Sequence, residues 1–493
     1  MSSGAVETGG IAPSGRVLSR VEQRGIEPVP DSQRNGSPGE LFWVWFAANI
    51  SILGIPLGAT LIALGLNFVQ AIIVAVIGSF VSFAVVGIIS IAGRRGGAPT
   101  LTLSRSIYGV RGNMFPTLVA LISRLGWETV NTVTGAFALL SLMVIAFGTP
   151  AGAKDVPVLT LVCIAVFVAC TIAVAGAGHA VILKVQKWAT WIFGGLTLAV
   201  GAYLATTIDW GSFVGGSAGP MSAVIIGIGT IASGTGIGWA TSGADMARYQ
   251  RKSVSGLSLI LSAAAGAGIP LVIVIGLGSA LTAGDSAIAT AGDPIAAVRE
   301  VLPAWVAVPY LIAAFGGLLL SNHLSVYSAG MATLNLGIRI PRVFAVLVDV
   351  VVTTLGAVYF MLISDGFYGP FITFISLLAV PLSAWIGIFL IDMMKRSSYD
   401  PDGLLDLTPT SPYWYTGGIE WRALGTWLLA CVVGYLFVTA RVSESVVWFS
   451  GPLSQTVIGE NGLAWLVSLL IGAVVYLLLG GAREARGPRS ASR

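Results

Sequence analysis

From Leu41 onward the chain alternates runs of about 20 apolar residues with short polar breaks, the pattern of transmembrane helices. Twelve runs begin near Leu41, Val69, Met114, Pro157, Ile182, Met221, Ser255, Trp305, Phe344, Phe371, Ala423 and Leu463. The pattern predicts an all-α polytopic membrane protein with twelve transmembrane helices. Two runs are interrupted at their centres. The first, WFAANISILGIPLGATLIALGL, holds Gly54, Pro56 and Gly58; the sixth, AVIIGIGTIASGTGIGWATSGADMARY, holds Gly234, Gly236 and Gly238. A helix loses about 1 kcal/mol per glycine and about 3 per proline, so both centres are expected to unwind. Glycine is common in membrane helices, which accounts for one such run. Two, five spans apart and each beside polar residues, point instead to matching broken helices in two halves of a transporter. The expected organisation is a five-plus-five inverted repeat over 41–208 and 221–396, with two peripheral helices in 423–480. The repeat is not visible as sequence identity.

Composition agrees. Of 493 residues 55% are hydrophobic and 10% charged, and the mean hydropathy is +0.88; a soluble protein carries about 25% charged residues. The 63 glycines suit close helix contacts. Cys163, Cys170 and Cys431 all fall in apolar runs and read as core filler rather than disulfides or metal ligands. Residues 1–40, rich in Gly, Ser and Pro and without the apolar core of a cleaved signal, read as a disordered cytosolic tail; residues 481–493 read as a basic cytosolic tail. Basic residues gather on alternate connections, among them Arg94, Arg95, Arg105, Arg111, Arg248, Arg251, Lys252, Arg339, Lys395 and Arg396. The connections between these hold Lys154, Arg299 and Arg441 beside Asp155, Asp209, Asp285, Asp293 and Glu300. This places both termini in the cytosol at a cell membrane. The net charge of +4 follows this topology and calls for no nucleic-acid partner. No GxxxxGK[ST] loop and no nucleophile–base or metal cluster occurs, so neither an ATP-driven pump nor an enzyme is expected. Oligomeric state leaves no mark in the sequence.

The third run carries SRLGWETVN, with an arginine, a tryptophan, a glutamate and an asparagine within eight residues of a stretch where charge is expensive. On a helix Trp127 and Asn131 share one face, offering a ring to stack on and an amide to read hydrogen-bonding edges. Arg124 and Glu128 share the neighbouring stripe, as a self-neutralising pair or with Glu128 as a protonatable group beside the substrate. In the sixth run Trp239 follows the glycines, as a ligand contact or an interface anchor, and backbone groups freed at 235–238 can bond a ligand. Asp245 lies nearer the cytosolic end, suited to a gate contact or a proton. The eighth run is interrupted by Ser321, Asn322 and His323: a hydroxyl, an amide and a histidine that titrates near neutrality or only packs.

These residues, with RGIEPVPDSQR (24–34), WFAANISILGIPLG, GWETVN, GWATSGADMARY and SNHLSVYSAG, resemble the nucleobase–cation symporter-1 family, in its purine–cytosine permease branch, over roughly 24–415. The resemblance implies the five-plus-five fold of sodium–amino-acid symporters and import of a flat nucleobase held between spans one, three, six and eight. By motif position it gives Trp127, Asn131 and Asn322 the contacts to the base, with Trp239, or Gly236 three residues earlier, at the second stacking position. Sodium-coupled members carry two adjacent hydroxyls in span eight where this chain has Leu320 and Ser321. The missing hydroxyl favours a proton over sodium as coupling ion, with Glu128 or Asp245 as carrier and Ser321 as a possible ligand. No other cofactor is implied. The competing readings are a hydantoin, vitamin or amino-acid transporter on the same fold, or a membrane receptor that does not transport.

Overall fold

The first span folds as two helices, Pro38–Asn49 and Gly54–Ala63, meeting at 63°. Ser37 and Glu40 begin it with a reciprocal capping box. The break falls at residues 50–53, upstream of the expected position. Gly54 and Pro56 occupy the first turn of the second half, where proline's missing N–H has no helical partner to lose. In this computed structural model residues 24–175, 179–208, 210–284, 294–300, 302–338, 340–364, 366–443 and 445–481 are described. Expectations for most of the two tails and for Asp209, Asp285, Asp293 and Arg339 lie outside them.

Nine further helices are long and apolar enough to cross a membrane: Phe68–Gly96, Met114–Phe147, Pro157–Ala175, Val181–Thr207, Met221–Ala247, Gly256–Ala283, Ala304–Asn335, Phe344–Ile363 and Gly369–Lys395. With the bent pair, the described residues hold ten candidate spans, named here second to tenth in chain order after the first. At the eleventh and twelfth expected positions lie Trp421–Tyr435 and Ala464–Leu478, 15 residues each. At 1.5 Å per residue each covers about 22 Å, short of a 30 Å hydrocarbon core. The fold is mostly rather than wholly helical. A hairpin pairs Thr439–Arg441 with Val447–Ser450, and Thr373 of the tenth span donates to the Arg441 carbonyl at 2.6 Å. The β-branched and aromatic run of the second strand explains it.

Contacts sort eight of the first nine spans into two groups, with the fifth touching the first and the eighth. The first, second, sixth and seventh pack on one another; the third, fourth, eighth and ninth form the other group. Gly58 shows how close the first group packs: a Cβ there would lie 2.6 Å from the Ser279 backbone nitrogen of the seventh span. Gly58→Ala forces backbone apart at about 1–3 kcal/mol. It should lower the melting temperature of the detergent-purified protein. Gly425→Ala, with open space around its Cβ, should not. Equal melting of the two variants would show that this contact does not set stability.

The sixth span corrects the expectation of a second broken helix. Ser233–Ile237 form a π turn and Ala240–Ser242 a 3-10 turn, and the span stays one helix from Met221 to Ala247. The glycines are absorbed by a wide turn instead of an unwound segment. Residues 24–37, expected in a disordered tail, lie against the bundle. Val29 is fully buried and donates to the Gly97 carbonyl, and Gly36 donates to that of Tyr249, at 2.8 and 2.9 Å. Gly97 ends the second span in the left-handed region, φ 67°, where a Cβ would strike the Arg34 guanidinium. Few apolar side chains hold this segment, which is why composition alone suggested disorder.

Candidate functional site

A cavity lies between the two groups of spans, enclosing about 980 Å³ together with its open mouth. The break of the first span supplies Asn49, Ser51 and Leu53; the third supplies Trp127, Val130, Thr134 and Phe137; the sixth Gly234, Thr235 and Trp239; the eighth Ser321; the tenth Phe371, with Phe367 just before it. Its walls are chiefly apolar and aromatic with a few convergent polar groups, the makeup of a small-molecule site. Trp127 stands edge-to-face on Phe371, ring centroids 5.2 Å apart. Trp239 stands edge-to-face on Trp45 at 5.5 Å.

Arg124 and Glu128 do not pair. Arg124, 2% exposed, lays its guanidinium over the Trp239 ring, 4.3 Å from the centroid, and donates through Nη2 to the Gly238 carbonyl. A cation desolvated on an indole face gains about 2 kcal/mol or more. Glu128 turns to the eighth span, where Ser325 Oγ donates to Oε1 at 3.2 Å; Oε2 has no hydrogen-bond partner among the described residues. Spacing by one turn put the two on one stripe, but each is drawn to a different neighbouring helix.

Asn131 and Asn322 are brought together: Asn131 Nδ2 donates to Asn322 Oδ1 at 3.3 Å, and Asn322 Nδ2 to Thr171 Oγ1 of the fourth span at 3.1 Å. This chain lies behind the cavity wall, not in it. Successive helix residues point about 100° apart, so Ser321 faces the cavity while Asn322 turns away. Gly236 also lies off the cavity. Its N–H donates to Ser82 Oγ at 3.2 Å, and a Cβ there would strike the second span. Leu320 turns from the cavity too, its carbonyl accepting from Gln186 Nε2 at 3.4 Å.

Asp245 sits at the far end, accepting from Thr100 N and Oγ1, both at 2.9 Å, in the connection between second and third spans. Beside it Arg248, fully buried, donates to the Gly25 carbonyl and to Tyr327 Oη, both at 2.8 Å. Arg105 donates to the Leu404 and Asn335 carbonyls, and burial pushes its guanidinium down to about 10, still charged at neutral pH. This network closes the bundle on the side of the N-terminal segment, whereas Phe137, Ile295 and Phe367 lead the cavity toward the other. Sequence reasoning missed Thr134, two turns beyond Trp127 on the same face, which helical periodicity marks. It also missed Asn49 and Ser51, whose sign is their polarity beside the first-span break, and Phe367 and Phe371, for which no pattern in the sequence gives a sign.

The model of a family described as permeases for cytosine/purines, uracil, thiamine and allantoin matches residues 28–459. The chain belongs to that family. Among relatives of this permease, YxlA of Bacillus subtilis, provisionally named a purine-cytosine permease, is 24% identical over 472 residues, covering 93% of this chain and 96% of the relative. The purine-cytosine permease FCY2 of Saccharomyces cerevisiae is 29% identical over 279 residues, 55% of this chain and about half (49%) of FCY2. The permease shares its fold with Mhp1, a nucleobase-cation-symport-1 family transporter solved with bromovinylhydantoin bound. Their TM-score is 0.69 at 19% identity over 92% of this chain and 95% of Mhp1. A sodium-coupled sialic acid symporter follows at TM-score 0.51 and 12% identity, over 90% and 96%. The expected nucleobase–cation symporter membership therefore holds, and the permease is a multi-pass membrane transporter rather than an enzyme.

Proposed function

We propose that the permease is a secondary active transporter that imports a planar nucleobase, cytosine or a purine, across the cell membrane by alternating access. The coupled cation is a proton in preference to sodium. The observation that carries this reading is the aromatic cavity between two four-span groups, with Trp127 and Trp239 in its walls. A planar base presents two faces for stacking and an edge of donors and acceptors. Trp127 and Trp239 take the faces; Asn131 and Asn322 read the edge once their mutual hydrogen bond opens. The eighth span offers the first-span break one hydroxyl, Ser321, with Leu320 where a second would stand, which disfavours a hard cation, and Glu128 is the better proton carrier, since Asp245 is occupied by Thr100. The grouping of spans one, two, six and seven against three, four, eight and nine supports the inverted repeat over 41–208 and 221–396. The two 15-residue helices complete twelve spans where the bilayer thins around them or their ends extend, which puts both termini in the cytosol.

A second reading is favoured by one observation: the ligand named for Mhp1 is a hydantoin. One experiment separates the two. Uptake of labelled cytosine is measured in cells lacking their own permease, with and without sodium and a protonophore, against purines, uracil, hydantoins and amino acids. Sodium-independent accumulation, abolished by the protonophore and competed by purines, is expected. Competition by hydantoins alone supports the second reading; a sodium requirement overturns proton coupling.

A further inference from the structure

The ninth span buries a second carboxyl for which neither the fold nor the cavity has a use. Asp349 is 2% exposed; its Oδ1 accepts from Thr333 Oγ1 of the eighth span at 3.0 Å, and its Oδ2 has no hydrogen-bond partner among the described residues. Glu128 repeats the arrangement on the same helix, with one oxygen on Ser325 and one unpartnered. An ionisable group in a membrane span with spare hydrogen-bonding capacity is expensive and marks function.

Two independent measures set the spacing of these carboxyls. Ser325 and Thr333 are eight residues apart, about 12 Å along the eighth span. A Cβ on Gly356 would lie 2.9 Å from Thr129 Oγ1, next to Glu128, and Asp349 precedes Gly356 by seven residues, about 10 Å. The direction is also fixed. Leu334, beside Thr333, reaches Gly25 of the N-terminal segment, so Asp349 lies toward the end where the bundle is closed, away from the cavity mouth.

Charge counting gives the pair a chemistry. The spans packed on the ninth contribute Arg124 and Glu128 from the third, Tyr310, His323 and Tyr327 from the eighth, and Cys163 and Cys170 from the fourth; Tyr359 lies on the ninth itself. Among the described side chains of these spans Arg124 is thus the lone cation, and it lies on Trp239 and the Gly238 carbonyl rather than on Asp349. With both ionised, one buried negative charge is left uncompensated; with one proton on either, the balance closes.

We infer that Glu128 and Asp349 are successive stations for a single proton, taken up at Glu128 on the cavity side and released from Asp349 at the opposite end. In the transfer Glu128 gives up its proton to water and becomes the carboxylate, and water protonates Asp349, so no net charge is created within the bundle. This rests on the proton-coupled reading above.

The test compares two modes in proteoliposomes loaded with cytosine or driven by an imposed proton gradient, with radiolabelled cytosine as probe. Asp349→Asn should exchange labelled for unlabelled cytosine within about threefold of wild type, since exchange needs no net proton movement. Gradient-driven accumulation should fall at least about tenfold and lose its stimulation by acid pH. Asp349→Glu should restore accumulation with a displaced pH midpoint. Accumulation by Asp349→Asn at the wild-type level and pH profile overturns the inference. If that variant does not insert, an unchanged pH profile in Asp349→Glu overturns it equally. Failure of the underlying reading shows instead in the wild type, as accumulation indifferent to the proton gradient, and takes the inference with it.

Discussion

Trp127→Ala should raise the KM for base uptake roughly 5- to 150-fold. Stacking of a base on an aromatic side chain is worth about 1–3 kcal/mol, and every 1.4 kcal/mol is a factor of about ten. Trp127 is half-buried in the cavity wall and keyed to Phe371, so the alanine variant loses a stacking face without opening a cavity in a fully packed core. Trp127→Phe keeps a ring and should recover most of the affinity. Initial rates of labelled cytosine uptake, normalised to inserted protein, give the number. An unchanged KM in Trp127→Ala would remove this ring from the site.

The larger effect is expected at the amides. Asn131→Ala and Asn322→Ala should each reduce uptake to background with insertion intact, because a site built to hydrogen-bond a ligand edge discriminates far more sharply than an apolar one. A purely structural role predicts something else. Truncating Asn131 leaves Asn322 Oδ1 without its donor, a loss of about 1–3 kcal/mol of stability. Thr171→Val tests the difference, since it removes the other end of the same hydrogen-bond chain and touches no base. Uptake within a few-fold of wild type in Thr171→Val, beside its loss in the asparagine variants, assigns the amides to the substrate. A parallel decline of uptake and melting temperature in all three assigns them to packing.

The spans themselves were legible because hydropathy is a one-dimensional property: nine of the expected starting points fall within two residues of an observed long helix, or inside its first turns. The break in the first span was legible from its glycines and proline, though it falls a few residues earlier, where Ile50 to Leu53 leave the helix and proline finds a permitted first-turn position. Orientation within the third span was less so. Helical spacing placed Arg124 with Glu128, but which neighbour each side chain prefers depends on Trp239 and Ser325, more than 100 residues away in the chain. The same limit hid Asp349, a lone carboxyl in an apolar run whose meaning comes only from Thr333 and from the level of Glu128. The hairpin at 439–450 escaped because a short β-branched run beside membrane helices looks like the edge of another span.

The π turn at Ser233–Ile237 has a consequence in the arithmetic of register. A π turn accommodates one residue more than the α turn it replaces, so the sixth span can shed that residue and still be helical. A residue removed from the regular α stretch before it, by contrast, rotates all that follows by about 100° and draws it back by about 1.5 Å. Trp239 would swing out of the cavity wall, the Gly238 carbonyl would leave Arg124, and Asp245 would face away from Thr100. Three contacts made by three different neighbours are thus phased by the number of residues before them, and the π turn is a place where one residue can be lost without dephasing them.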